Sequence, residues 1–171
     1  MRFTDVRQVE APRTAVWEAL HDDDVLSRVI PGCERLSPIE TGRYVAVLSA
    51  RVGRLADTYR GTFAIDDLRP GSELAVTVTG RGRCGSLELD LDVRLDEGDT
   101  EGTTRLSYDA RARVGGFVAR LGRAPLTVAG GHITGCFFRD LDRAVRRPAT
   151  ARSRMLTAVE LGSVPLAPVL S

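Results

Sequence analysis

Lysine is absent from this chain of 171 residues: all 24 basic residues are arginine, and they stand against 23 acidic residues. The formal net charge of +1 leaves no strong overall field of the kind that attracts proteins to nucleic acid. We therefore expect no nucleic-acid partner.

Long apolar runs are also missing. No stretch reaches the roughly 18 to 20 apolar residues that a membrane-spanning helix needs. The first ten residues alternate charged and apolar side chains and lack the apolar centre of a secretory signal, so we expect a cytoplasmic protein. The three cysteines, Cys33, Cys84 and Cys136, lack the spacing of a disulfide framework or a zinc site, and we interpret them as small buried hydrophobes.

No pattern in the sequence places a nucleophile beside a base, or two carboxylates in contrasting environments, as catalysis would require. His132 and Cys136 are four residues apart and would share one face of an unbroken helix, where they could ligate a metal. Because suitable partners are lacking nearby, a role in the core or in lining a cavity is favoured, and we expect no catalytic residue and no metal site.

The middle of the chain alternates apolar and polar residues with a period of two, which is typical of strands with one dry face. Between residues 87 and 95 the odd positions are apolar and the even positions charged. Short connections rich in glycine and proline predict antiparallel pairing as a meander. Seven strands are predicted, at residues 3–9, 33–39, 44–52, 59–65, 74–78, 87–95 and 106–114.

A one-sided antiparallel sheet needs a cover. Two short helices are predicted after the first strand, one beginning at Pro12 and one at residues 25–30. The large cover must be residues 117–145, which have helical spacing. The apolar stripe there changes phase at Gly130 and Gly131, so we expect a kink near Gly130. The predicted fold class is α+β, with a curved seven-stranded antiparallel sheet wrapped around a long C-terminal helix.

This order of elements resembles the helix-grip fold of START domains, pollen-allergen-like proteins and polyketide cyclases. Short motifs narrow the resemblance to the CoxG family, named for the G subunit of carbon monoxide dehydrogenase, over residues 1–147. They are Val16-Trp17, Pro31-Gly32-Cys33, Val52-Gly53, Tyr59-Arg60-Gly61, Gly80-Arg81-Gly82 with Gly85, residues 104–108, Val114-Gly115-Gly116 and Phe137-Phe138.

The resemblance implies an accessory protein of a carbon monoxide dehydrogenase-type molybdenum hydroxylase. It implies a non-catalytic carrier that moves an isoprenoid quinone such as menaquinone, or another lipid, between the membrane and that enzyme, with no covalent cofactor. Two alternatives stay open: an assembly or membrane-recruitment factor for the dehydrogenase, and an enzyme of the cyclase or hydratase type that uses His132.

The dry faces suggest where an apolar ligand would bind. Small residues there would leave space opposite the helix; they are Ala46, Ala50, Gly61, Ala110 and Ala112. A tyrosine hydroxyl aimed into that space could bond a quinone carbonyl, although inward side chains more commonly just fill a core. The candidate ligand-binding residues are Tyr44, Tyr59, Phe63, Leu89, Tyr108, Leu121, Val128, His132 and Phe137.

We divide the chain into a ligand-binding domain, residues 1–147, and a C-terminal tail, residues 148–171. Arginines populate the long helix, and together with the apolar end of the tail they could contact anionic lipid headgroups on the inner face of the membrane. Membrane contact, packing on the domain and contact with a neighbouring protomer all remain open for the tail.

Overall fold

The computed structural model describes residues 1–146, so the predicted tail lies outside the described residues. Seven strands, three α-helices and one short 3-10 helix follow one another along the chain. They are β1 (Arg2–Val9), α1 (Arg13–Leu20), α2 (Asp23–Val29), β2 (Cys33–Glu40), β3 (Arg43–Val52), β4 (Leu55–Arg69), β5 (Glu73–Arg81), β6 (Gly85–Glu97), β7 (Thr104–Gly116), the 3-10 helix (Val118–Leu121) and α3 (Arg123–Arg146).

The strands form one antiparallel sheet in the order β1-β7-β6-β5-β4-β3-β2, which confirms the predicted meander. The register places Leu89 between Val78 and Ala112, so the apolar positions of neighbouring strands lie on the same face. The opposite face carries cross-strand ion pairs such as Arg113 with Glu88. A one-residue slip would reverse this arrangement and bury the charges.

The two ends of the sheet differ in packing. At one end, which we call the closed end, lie α1 and the turns β4–β5 and β6–β7. The inward side chains Leu74, Leu95 and Leu106 are almost fully buried there, together with Leu141 of α3. The other end, which we call the open end, carries the β3–β4 turn, the β5–β6 loop and the connection from β7 to α3. The main hydrophobic core therefore occupies only part of the concave face.

The helix α2 is present close to its predicted place, but it begins at Asp23, two residues before the predicted start. Asp22 is the N-cap, and its side chain accepts hydrogen bonds from the backbone amides of Asp24 and Val25. Such a cap satisfies amides that have no partner inside the helix.

The long helix α3 is continuous from Arg123 to Arg146, so a register break near Gly130, the alternative to a kink there, is absent. The chain turns at Gly122, whose φ of 85° lies in the left-handed region that favours glycine. A single inward stripe runs along α3 at spacings of three or four residues: Leu126, Gly130, Thr134, Phe137, Leu141 and Val145. The apolar residues Val128 and Ile133 lie off this stripe and are exposed.

Gly130 belongs to this stripe because it faces the ring of Phe3 on β1. A Cβ added at Gly130 would lie 3.0 Å from Phe3 Cζ, whereas one added at Gly131 would have nothing within 4 Å. The two glycines therefore have different structural roles. Gly130 lets α3 approach the sheet, whereas a Cβ at Gly131 would contact no other residue.

The substitutions Gly130→Leu and Gly131→Leu test this contact. Both replace glycine with a better helix former, which at an unobstructed site stabilises by about 0.5–1 kcal/mol. We expect that gain for Gly131→Leu, but a loss of about 1–3 kcal/mol for Gly130→Leu, because its side chain would overpack against Phe3. Urea unfolding measures both. Equal effects of the two substitutions would contradict the close contact.

Candidate functional site

The candidate site lies at the open end of the sheet, beside the first half of α3. Inward-facing apolar side chains at this end are only half-buried, in contrast to those at the closed end. The sheet contributes Leu48, Tyr59, Phe63, Leu87 and Leu89, and the helical side contributes Leu121 and Leu126. We call this set the cleft.

The floor of the cleft is built from very small residues. Ala46, Gly61 and Gly80 are paired neighbours on β3, β4 and β5. A Cβ at Gly61 would lie 1.7 Å from the carbonyl oxygen of Thr79, and one at Gly80 would lie 3.4 Å from Cβ of Tyr59. Atoms of neighbouring residues therefore occupy the space that a side chain at Gly61 would need, and Ala46 beside it is buried.

The three tyrosines of the concave face have different partners. Tyr44 is buried, and its hydroxyl donates to Asp23 Oδ1 at 2.7 Å. Burial, reinforced by this carboxylate, raises the pKa of Tyr44 to about 12. Its hydroxyl joins the sheet to α2 and is not available to a ligand, which corrects the role expected for it.

Tyr108 stacks on Phe138 of α3, with 5.6 Å between ring centroids. Burial is the main cause that raises the pKa of this tyrosine, and the hydroxyl of Thr134 interacts with it. Tyr108 therefore helps to hold α3 over the β1 side of the sheet.

Tyr59 is the tyrosine of the concave face whose hydroxyl bonds to no other residue within 1–146. Burial, and secondarily the charge of Asp57, raises its pKa. The phenol consequently stays protonated at neutral pH. The cleft thus contains a hydrogen-bond donor in an otherwise apolar wall.

Asp57 lies at the edge of the cleft, which we call its rim, and binds the neighbouring loop there. Its carboxylate accepts hydrogen bonds from the backbone amides of Cys84 at 2.7 Å and Thr58 at 2.9 Å. The bond from Cys84 is the main cause that lowers the pKa of Asp57, and Arg83 contributes in the same direction. This contact joins β4 to the β5–β6 loop.

The structure brings together four of the nine predicted site residues, namely Tyr59, Phe63, Leu89 and Leu121. Tyr44 belongs to the hydrophobic core, and Tyr108 and Phe137 pack against it, as Phe63 and Leu89 also do. Val128, which is 73% exposed, and His132, which is also exposed, do not face the cleft, which corrects their assignment. Each follows a stripe residue by two positions, and two helical steps of about 100° turn a side chain away from the sheet.

Three residues of the cleft were not predicted from the sequence: Leu48, Leu87 and Leu126. The period-two pattern already placed Leu48 and Leu87 on the dry face. Leu126 could have been found from its spacing of four to Gly130, had the glycine been counted as part of the apolar stripe.

His132 and Cys136 lie side by side on α3, with 3.6 Å between Nε2 and Sγ, and Arg139 also donates to this sulfur at 3.2 Å. Within residues 1–146 no group of three or more potential metal ligands comes together. The same part of the chain contains no helix that is long and apolar enough to cross a bilayer. All three cysteines are half-buried rather than fully buried.

Solved structures place this architecture among the helix-grip proteins. A conserved protein from Geobacillus kaustophilus aligns with a TM-score of 0.79 and 24% identity, over 85% of this chain and 95% of its own. A START superfamily protein from Mycobacterium smegmatis aligns with a TM-score of 0.67 and 8% identity, over 85% and 97%. The Zhui aromatase/cyclase from Streptomyces sp. R1128 aligns with a TM-score of 0.63 and 18% identity, over 88% and 97%. At these identities the similarity establishes the fold alone.

The family model of the carbon monoxide dehydrogenase G subunit (CoxG) matches residues 6–146. The chain therefore belongs to the CoxG family. No curated protein matches the chain by sequence. Family and fold together indicate a ligand-binding accessory protein.

The substitution Asp57→Asn tests the rim contact. The folded state lowers the pKa of Asp57, so its stabilising contribution is complete above the unfolded pKa of about 3.9 and is lost as the pH falls through the lower folded value. We expect Asp57→Asn to be less stable than the wild type at pH 7, with the difference shrinking toward pH 2. Thermal unfolding between pH 2 and 7 measures it. A difference independent of pH would contradict this role of the charge.

Proposed function

We propose that the protein is a non-catalytic carrier that binds an isoprenoid quinone, or a lipid of similar shape, in the cleft. It would deliver this ligand between the membrane and a carbon monoxide dehydrogenase-type molybdenum hydroxylase. The proposal combines the family membership with the geometry of the cleft.

The main evidence for this proposal is the difference in burial between the two ends of the concave face. If inward apolar residues served only as a core, those at the open end should be as buried as Leu74 and Leu95 at the closed end. Leu48, Leu87 and Leu89 instead stay half-exposed above a floor of glycine and alanine. An apolar concave surface with a few polar groups is what small-molecule sites require.

Tyr59 supplies the polar group. A protonated phenol in an apolar wall can donate to a ligand carbonyl, and a quinone presents such an acceptor beside an apolar chain. The structure offers less for catalysis, because His132, the base of the cyclase-type alternative, lies on the exposed side of α3.

Ligand content is the direct test of this proposal. The freshly purified full-length protein is extracted with organic solvent, and the extract is examined by mass spectrometry and ultraviolet absorption. We expect a quinone or lipid in near-stoichiometric amount, or its uptake from quinone-loaded vesicles by the empty protein. No bound ligand and no uptake would favour the assembly-factor alternative.

Filling the cleft should abolish uptake. Ala46→Phe places a ring on the floor beside Gly61, whereas Val45→Phe places the same ring on the opposite face of β3, where Val45 is 43% exposed. We expect Ala46→Phe to reduce quinone uptake at least tenfold and Val45→Phe to leave it within twofold. Circular dichroism checks whether both variants are folded. Unchanged uptake by folded Ala46→Phe would overturn the assignment of the cleft.

Removing only the hydroxyl of Tyr59 tests the hydrogen bond. A neutral hydrogen bond contributes about 0.5–1.5 kcal/mol, so Tyr59→Phe should raise the Kd for a quinone about two- to tenfold. Tyr108→Phe, which alters a hydroxyl near Thr134, should have a smaller effect on the same fluorescence or calorimetric titration. A larger increase in Kd for Tyr108→Phe than for Tyr59→Phe would place the polar group of the ligand near α3 instead.

A further inference from the structure

Charge is distributed unevenly between the two ends of the sheet, although the net charge is close to zero. The open-end segments, residues 51–60, 81–84 and 117–123, contain seven arginines and a single carboxylate, Asp57. The arginines are Arg51, Arg54, Arg60, Arg81, Arg83, Arg120 and Arg123, and all are exposed. At the closed end, residues 96–101 contain four acidic residues, three of which are in ion pairs with arginines: Asp96 with Arg94, Glu97 with Arg13 and Asp99 with Arg105.

The open-end arginines are not neutralised within the described part of the chain. Arg51, Arg54 and Arg120 are in no ion pair with a carboxylate of residues 1–146, and Asp57 is occupied by backbone amides. The arginines in the second half of α3, by contrast, have acidic neighbours on the same helix. Arg139 and Arg143 lie beside Asp140, and Arg146 lies 2.8 Å from Asp142.

Apolar side chains lie among the unpaired arginines. Phe117 is 54% exposed at the end of β7, and Val52 and Leu55 are half-exposed on either side of the β3–β4 turn. Exposed apolar side chains among basic ones are typical of surfaces that enter the lipid headgroup region.

We propose that the open end is a docking surface for an anionic lipid bilayer. This inference rests on the proposed function in one respect: docking here would turn the cleft toward the source of a water-insoluble ligand. Arginines near an anionic leaflet each contribute favourably to binding, and the attraction weakens with salt.

A bilayer fits these observations better than an acidic protein surface does. Arg51, Arg60 and Arg83 line one surface pocket together with Asp57, but the arginines as a set extend over three separate segments, and an exposed phenylalanine lies among them. Of the arginines that the sequence places in the helical segment, this surface uses Arg120 and Arg123. It does not use Arg139, Arg143 and Arg146, which lie beside Asp140 and Asp142.

Vesicle co-sedimentation tests the docking surface with two matched triple variants of the full-length protein. One carries Arg51→Gln, Arg54→Gln and Arg120→Gln at the open end. The control carries Arg139→Gln, Arg143→Gln and Arg146→Gln on α3, so that the same charge is removed. The probes are phosphatidylcholine vesicles with and without 30% phosphatidylglycerol.

We expect the wild type to bind only the anionic vesicles, and less tightly as salt increases. The open-end variant should bind at least tenfold more weakly and the control within threefold of the wild type. Equal losses in both variants, or a loss in the control alone, would overturn the proposal. Unchanged vesicle binding by the open-end variant would also overturn the proposal. If that variant instead bound the dehydrogenase more weakly, the surface would be assigned to an acidic protein.

A short-chain, water-soluble quinone separates this proposal from the proposed function. If the open-end variant binds this quinone as the wild type does but no longer binds vesicles, docking and cleft are independent and both stand. If the wild type binds anionic vesicles through the open end but binds no quinone, the docking surface stands and the carrier function fails.

Discussion

The contact between Gly130 and Phe3 determines how close α3 lies to the sheet, and the rest of the concave face depends on it. Because glycine has no side chain, α3 can approach β1 to within van der Waals distance of the phenylalanine ring. Stacking of Tyr108 on Phe138 holds the following turns of the helix over β7. The second half of α3 thereby seals the closed end, while the first half stands above the open end.

This placement divides one apolar face into two regions with different properties. At the closed end, Leu141 and its neighbours form a dry core that supplies stability. At the open end, the inward side chains of β3, β4 and β6 lie over small residues and stay accessible. The rim there is tied by Asp57 and surrounded by arginines, so the accessible part of the face, its polar donor and the basic surface all occur at the same end of the sheet.

Much of this fold follows from the sequence, because strand alternation is a strong local signal. The pattern of residues 87–95 specifies both a strand and the face that must be buried. The long helix is harder to interpret. Apolar spacing counted without Gly130 places Val128 and His132 toward the cleft, and the role of that glycine depends on Phe3, more than 120 residues away in the chain. The partners of Tyr44 and Asp57 likewise come from distant segments. No local pattern therefore distinguishes the bonded hydroxyl of Tyr44 from that of Tyr59, which has no partner among residues 1–146.

Photocrosslinking with a quinone that carries a photoreactive group on its isoprenoid chain tests the central claim, that the open end of the concave face holds the ligand. After irradiation and digestion, mass spectrometry locates the labelled residues. The account predicts labels on the inward positions of residues 46–63 and 87–91 and on the first half of α3, all suppressed by Ala46→Phe. Labels confined to the convex face, or to the turns of the closed end, would contradict it.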